Sequence, residues 1–284
     1  MKKKVKNLLR IILPTVAYDT LAFVTIFKRF PFSNEPKYFN QKVFMRKYFD
    51  RNYLYSLCSD KYRVREYIER KIGKVYLIEL ISSFKGVPEV SDFIRLKRFV
   101  AKSNHGAGMV HLVDSPLSDE QAKELVNEFE SWMTIDYGKD SSESQYRKIP
   151  KMIVLEESLC VDGKVPRDYK FHCFNQMDGT YKYVLQVVDG RFADESRGYY
   201  LNNLEDCVHS FGNGNHVIPS TDLDALKEIV HLNGELIKDF DYVRIDWYVS
   251  EGRPYFGELT FTPGGGLSSE FNDELELTMG EYWL

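Results

Sequence analysis

The sequence predicts an α+β fold, and three observations predict it. Helical periodicity appears in three separated segments. The apolar runs between them pair through short turn signals, as antiparallel hairpins do. Strands and long helices do not alternate in the way a doubly wound parallel sheet requires. The chain has 284 residues and 43% hydrophobic content, enough for one large domain or two intimate lobes.

The elements follow in order. Residues 1–48 read as a basic and apolar N-terminal segment, and residues 49–284 as the main body of the fold. Lys2, Lys3, Lys4, Lys6 and Arg10 precede an apolar stretch, residues 11–27, that is interrupted by Pro14 and Asp19. The stretch is shorter than the roughly 20 apolar residues of a spanning helix. Asp19 also argues against a secretory signal. Three readings stay open: a helix packed on the body, a peripheral anchor on an anionic membrane, or insertion.

Residues 60–72 read as a helix capped by Asp60, with Val64, Tyr67, Ile68 and Ile72 along one stripe. Strands at residues 99–104 and 109–113 flank Gly106-Ala107-Gly108. Ser118 and Gln121 form a capping box for a helix whose stripe runs from Ala122 to Met133. Residues 137–148 read as a polar loop and residues 152–155 as a buried strand. Strands at 169–175 and 181–188 flank Asp178-Gly179, and residues 190–215 read as loop-rich. Residues 222–240 form an amphipathic helix. A final hairpin, residues 243–249 and 254–262, precedes a short acidic tail.

Composition narrows the function. A net charge of −4 gives no case for nucleic acid. Cys58, Cys160, Cys173 and Cys207 show no metal spacing and fit reduced thiols in a cytoplasmic setting.

The final hairpin carries the densest chemistry. A three-residue loop, Glu251-Gly252-Arg253, would pair Ser250 with Pro254 and set Asp246 directly opposite Glu258. Opposed carboxylates stand about 4.5–5.5 Å apart at Cβ and repel, so a positive group should lie between them. Magnesium bound to nucleotide phosphates is a natural candidate. Arg244, Asp246 and Tyr248 share a polar face with Phe256, Glu258, Thr260 and Thr262 in that register. Residues 262–266, Thr-Pro-Gly-Gly-Gly, then offer a strand exit that a ligand can approach closely.

Earlier in the chain, Lys102 precedes the glycine turn, which is either an ordinary hairpin loop or a phosphate cradle. Glu156, Glu157 and Leu159 close a strand, as a solvated end or as a hinge for an adenine edge. Asp168 and Lys170 share a face with His172 and Phe174, either exposed or directed at phosphate.

In this order, the motifs resemble the ATP-grasp superfamily, and within it the TupA-like branch named for teichuronopeptide biosynthesis. The matching segments begin with Asp60-Lys61-Tyr62-Arg63-Val64-Arg65-Glu66-Tyr67. Phe99-Val100-Ala101-Lys102-Ser103-Asn104-His105-Gly106-Ala107-Gly108 comes next, then Glu156 to Leu159, Asp168 to Asn175 and Gly257 to Gly266. The resemblance implies two α+β lobes enclosing ATP, with an N-terminal helical segment added. It implies that Lys102 and Lys170 hold phosphates under a cover formed by Gly106 and Gly108. Glu156, Glu157 and Leu159 would meet adenine, and Asp168 belongs to the same nucleotide set. Asp246 and Glu258 would bind Mg2+, with Thr260 at the position of a usual third ligand, and Arg244 would lie beside the transferred phosphoryl group.

The implied activity is an ATP-dependent carboxylate–amine ligation. The acceptor would be an anionic polysaccharide or lipid-linked glycan precursor. Arg191 and Arg197 are its candidate contacts, and the amine would come from an amino acid or amino sugar. A glycan kinase and a non-catalytic nucleotide- or glycan-binding subunit are the alternatives. The implied location is the cytoplasm, at the inner face of the plasma membrane if the N-terminus is an anchor.

Overall fold

A computed structural model describes residues 12–161, 165–189, 196–212 and 216–284. The basic cluster of residues 1–10 and the candidate contact Arg191 lie outside the described residues.

The smaller sheet contains β1 (Leu80–Phe84), β2 (Phe99–Ser103), β3 (Val110–Val113) and β4 (Ile153–Glu156). Its order is β1-β4-β2-β3, antiparallel throughout. Phe99, Ala101, Ile153 and Leu155 face Leu125, Phe129 and Trp132 of helix Asp119–Thr134 in one core. That helix starts with the Ser118–Gln121 capping box.

The larger sheet contains β5 (Arg167–Asn175), β6 (Tyr181–Asp189), β7 (Ser196–Leu201), β8 (Cys207–Phe211), β9 (Tyr242–Ser250) and β10 (Arg253–Thr260). Its order is β10-β9-β5-β6-β7-β8, again all antiparallel. Period-2 alternation gives its two faces different work. Tyr169, Phe171 and Cys173 join Val243, Ile245 and Trp247 in a core completed by helices Val64–Lys71 and Leu223–Leu236. On the other face, Phe174, Val184, Tyr199 and Tyr242 are covered by Phe39 and Val43 of helix Phe39–Phe49. Leu275 and Met279 of helix Asp273–Tyr282 complete that cover. The rest of this second face is polar and looks toward the smaller sheet. A parallel bridge from Leu77 to Phe256 ties the lobes together.

Several elements differ from expectation. The helix expected over residues 60–72 begins at Val64, because Asp60 instead holds the preceding turn, accepting from the backbone N–H groups of Tyr62 and Arg63. Within residues 137–148, Tyr137–Asp140 and Ser144–Tyr146 form single helical turns rather than open loop. The stretch read as loop over 190–215 contains β7 and β8, whose aromatic and β-branched residues gain partners only from the sheet edge. The acidic tail is a helix, capped by the Asn272 side chain.

The hairpin needs two corrections that offset each other. Its loop has two residues, Glu251 and Gly252, with φ of 51° and 72°. Left-handed residues at both positions match the strand twist and close a tighter turn than the expected three-residue loop. Ser250 therefore pairs with Arg253, and Pro254 faces Val249. A bulge at Gly257 restores the lost residue and returns Glu258 to its place opposite Asp246. A Cβ at Gly257 would sit 2.9 Å from the Asp246 carbonyl oxygen, so the close approach requires glycine. Phe256, expected on the polar face, turns into the core against Trp247 instead, with ring centroids 6.0 Å apart.

Candidate active site

The polar end of the larger sheet is a grid set by strand register. Lys170 on β5 lies opposite Asp246 on β9, which lies opposite Glu258 on β10. One row along, His172 lies opposite Arg244 and Arg244 opposite Thr260. Asp168 lies opposite Tyr248. All point the same way because they fall on one parity of the three strands.

The positive group between the opposed carboxylates is the Arg244 guanidinium. It donates to Asp246 at 2.7 and 2.8 Å, to Glu258 at 3.3 Å and to Thr260 at 3.1 Å. Lys170 donates to Asp246 at 2.6 Å and pairs with Asp168 at 2.8 Å. Burial works against the Asp246 charge, but Arg244 and then Lys170 hold its carboxyl below the usual carboxylate range. Burial likewise opposes the Lys170 charge, and Asp168 and Asp246 outweigh it, raising the ammonium above its ordinary value. His172, buried and beside Arg244, is pushed down to about 3 and stays neutral.

The smaller lobe supplies the opposite wall. Lys102 donates to Glu156 at 2.6 Å, and Arg65 donates to the other oxygen of the same carboxylate at 2.9 Å. The Glu156 side chain thus lies among cations rather than at an apolar edge. Burial opposes the Lys102 charge, but Glu156 more than compensates and the ammonium is raised. Lys61 donates to the Gly106 carbonyl and stands 3.9 Å from Glu258, joining the glycine turn to the larger sheet. Burial lowers the Lys61 ammonium below the ordinary lysine range, and Glu258 offsets this only partly.

The turn itself is braced. Asn104 donates to Asp60 and to the Pro150 carbonyl, both at 2.9 Å, and accepts from the Met152 N–H at 2.7 Å. Gly106 packs under Tyr137, and Gly108 carries a φ of 77° with open space around it. The first matching motif, Asp60 to Tyr67, therefore has a structural use: it carries Asp60, Lys61 and Arg65 into the site. The four-residue spacing of Lys61 and Arg65 on a would-be helix face was its visible signal.

Two clefts border this grid. One is a narrow apolar cleft between Ile78, Val100, Leu112, Leu159 and Tyr248. Lys102 and Glu157 edge it. The second, about 980 Å³, begins at Arg244, Glu258 and Thr260 and runs along Tyr137, Glu143, Tyr146, Thr262, Gly264 and Gly265. Its far wall is Lys47, buried and paired with Asp19 at 2.6 Å. Glu143 accepts from Thr262, and its burial raises its carboxyl above the usual range. Lys47, Glu143 and Tyr146 did not stand out in the sequence, and Asp19 did so only as a charge within an apolar stretch, since each reaches the cleft through long-range packing.

Arg197 lies on the same sheet face, in the row Asp168–Val188–Arg197, two strands or about 10 Å from Asp168. Its guanidinium pairs with Glu270.

Two antiparallel lobes, facing lysines and an opposed aspartate–glutamate pair together describe an ATP-grasp protein. The profile of the TupA-like ATP-grasp family matches residues 41–284, and the chain belongs to that family. Solved structures share the architecture at a distance. D-alanine–D-alanine ligase from Bacillus anthracis, complexed with ATP, is 13% identical with a TM-score of 0.47, covering 80% of this chain and 63% of that one. The Helicobacter pylori D-alanine–D-alanine ligase is 15% identical with a TM-score of 0.48, covering 80% and 61%. An L-amino acid ligase from Bacillus licheniformis is 14% identical with a TM-score of 0.42, covering 74% and 41%. The chain thus spans less than two thirds of the length of these ligases. No curated protein sequence matches it.

Proposed function

We propose that this chain is an ATP-dependent carboxylate–amine ligase working through an acyl phosphate. Its product would be an amide between a uronic acid of a cell-surface polysaccharide, or of its precursor, and an amino acid or amino sugar. The observation that carries this reading is the position of Arg244 and Glu258. They open onto the polar cleft, Lys170 shares Asp246 with Arg244, and Lys102 and Tyr248 border the apolar cleft on the other side of the grid.

Each cleft suits one substrate. The apolar walls Val100, Leu112, Leu159 and Tyr248 fit a flat adenine, and Glu157 stands at its edge. Lys102 and Lys170 are then the charges for the phosphates. Their present carboxylate partners, Glu156, Asp168 and Asp246, keep them charged and aimed without a ligand. The hydroxyls and carboxylates of Tyr137, Glu143, Tyr146 and Thr262 suit a sugar in the second cleft.

The donor set fits magnesium. Asp246 and Glu258 are opposed across two strands with the Thr260 hydroxyl adjacent, and magnesium takes one or two carboxylates and draws its other ligands from phosphate and water. It would neutralise phosphate charge.

In the reaction the substrate carboxylate oxygen attacks the γ-phosphorus and the bond to ADP breaks. The amine nitrogen then attacks the acyl carbon, the carbon–oxygen bond to phosphate breaks, and the ammonium proton is lost. Phosphate replaces oxide as the leaving group, which makes the second step feasible. Arg244 offers its charge where the phosphoryl group passes between the two anions. ATP as substrate sets the reaction in the cytoplasm.

The test incubates the protein with Mg-ATP, a panel of amino acids and amino sugars, and uronic-acid oligosaccharides. ADP, phosphate and product mass are measured. A ligase releases ADP and phosphate together and adds the amine mass less water. Phosphate retained on the glycan would make it a kinase, and nucleotide binding without turnover on any pair would remove the enzymatic reading.

A further inference from the structure

We propose that helix Thr15–Phe27, with the aromatic cluster at its end, is a docking surface for an anionic lipid bilayer. Among the described residues, no helix is long and apolar enough to cross a membrane. The helix contains one charged residue, Asp19, and that residue points inward to Lys47 and the Tyr48 hydroxyl, each at 2.6 Å. Its solvent side presents Val16, Ala17, Leu21, Thr25 and Ile26 with no charge among them. A solvated helix ordinarily carries charge on that side.

The surface continues past the helix. Phe30 and Phe49 both pack on Phe32, with ring centroids at 5.7 Å, yet they stay 59% and 64% exposed. Isolated exposed apolar residues are ordinary, whereas a charge-free helix side leading to two half-bare phenylalanines is a patch. Lys28 and Arg51 are exposed beside it, and in the sequence Lys2, Lys3, Lys4, Lys6 and Arg10 precede the helix with no acid among residues 1–10. Apolar contact plus a basic margin matches the acyl boundary and phosphate layer of an anionic leaflet.

Docking has a consequence for the second cleft, which rests on the function proposed above. Asp19 lines that cleft from the inward side of the same helix. A docked helix therefore sets the cleft about one helix diameter, ~10 Å, from the lipid. A substrate carried on a lipid would reach it without leaving the membrane.

The full chain is sedimented with phosphatidylglycerol vesicles and with phosphatidylcholine vesicles, without nucleotide or glycan, so the result does not depend on ligase activity. Binding to the anionic vesicles is expected, weakening as salt rises. The double variant Leu21→Asp with Phe30→Asp should lose about tenfold or more in partitioning. Met177→Asp, at an exposed apolar position in the β5–β6 turn, should lose nothing. Thermal melting should be the same for all three chains. Hydrogen exchange gives a reading without variants, since vesicles should slow exchange over residues 15–30. Absence of binding to anionic vesicles, equal loss in the Met177 variant, or a dimer that the double variant splits would each overturn the proposal.

Discussion

Asp246→Asn separates the electrostatic account of the site from a purely steric one. The substitution keeps the shape and removes the charge that Arg244 grips at 2.7 and 2.8 Å and Lys170 at 2.6 Å. Removing one partner of a buried ion pair costs about 3–5 kcal/mol. Two neighbours soften the loss here, because Lys170 keeps Asp168 at 2.8 Å and Arg244 keeps Glu258 at 3.3 Å. The lower end, about 3 kcal/mol, is therefore expected from urea unfolding at pH 7. The pH dependence adds a second check. The Asp246 carboxyl is held below its unfolded value of about 3.9, so its stabilisation is present above that pH and is lost as pH falls below it. The gap between wild type and variant should narrow from pH 5 toward pH 3. Magnesium-dependent ATP binding, followed by calorimetry, should be lost in the variant at pH 7. A variant as stable as wild type at pH 7, with unchanged magnesium-dependent binding, would refute the reasoning.

Three further outcomes follow from the geometry. Gly257→Ala puts a Cβ 2.9 Å from the Asp246 carbonyl oxygen, and relieving that contact should cost about 1–3 kcal/mol and weaken ATP binding by displacing Glu258; wild-type melting and affinity would count against the bulge. Asn104→Ala breaks three hydrogen bonds around a fully buried amide, so about 2–4 kcal/mol of destabilisation is expected in the same unfolding assay, with faster hydrogen exchange across residues 103–109. Glu276 is buried and its carboxyl is pushed up to about 7, chiefly by burial. An acid raised in this way loses stability as pH climbs from about 4.5 to about 7 and stays level above, a change of about 3 kcal/mol. Glu276→Gln should flatten that slope and raise the melting temperature at pH 8, and an unchanged slope would show that the carboxyl titrates normally.

Local rules made much of the fold readable. Period-2 alternation correctly set Asp168, Lys170, His172 and Phe174 on one face of β5, and the Ser118–Gln121 box correctly marked a helix start. The hairpin is more instructive. Asp246 does face Glu258, but through a two-residue turn and a bulge rather than a plain three-residue loop. Glu251 at positive φ has no strong local signature, and a bulge glycine looks like any other strand glycine until its neighbour strand is in place. Phe256, ahead of the bulge, falls on the core face for that reason.

The sequence by itself determined the family, the order of the motifs and the identity of the charged residues, because these depend on residue type and spacing along one chain. Tertiary structure decided which charges meet. Arg244 reaches both Asp246 and Glu258, Glu156 is held by Lys102 and Arg65, and Asp60 and Lys61 brace the glycine turn from more than forty residues away. The second cleft exists only because a helix near the N-terminus brings Asp19 to Lys47 and the Tyr137–Tyr146 segment brings Glu143 to Thr262. Such pairings are settled by how two lobes pack, and packing joins residues whose separation along the chain carries no signal of contact.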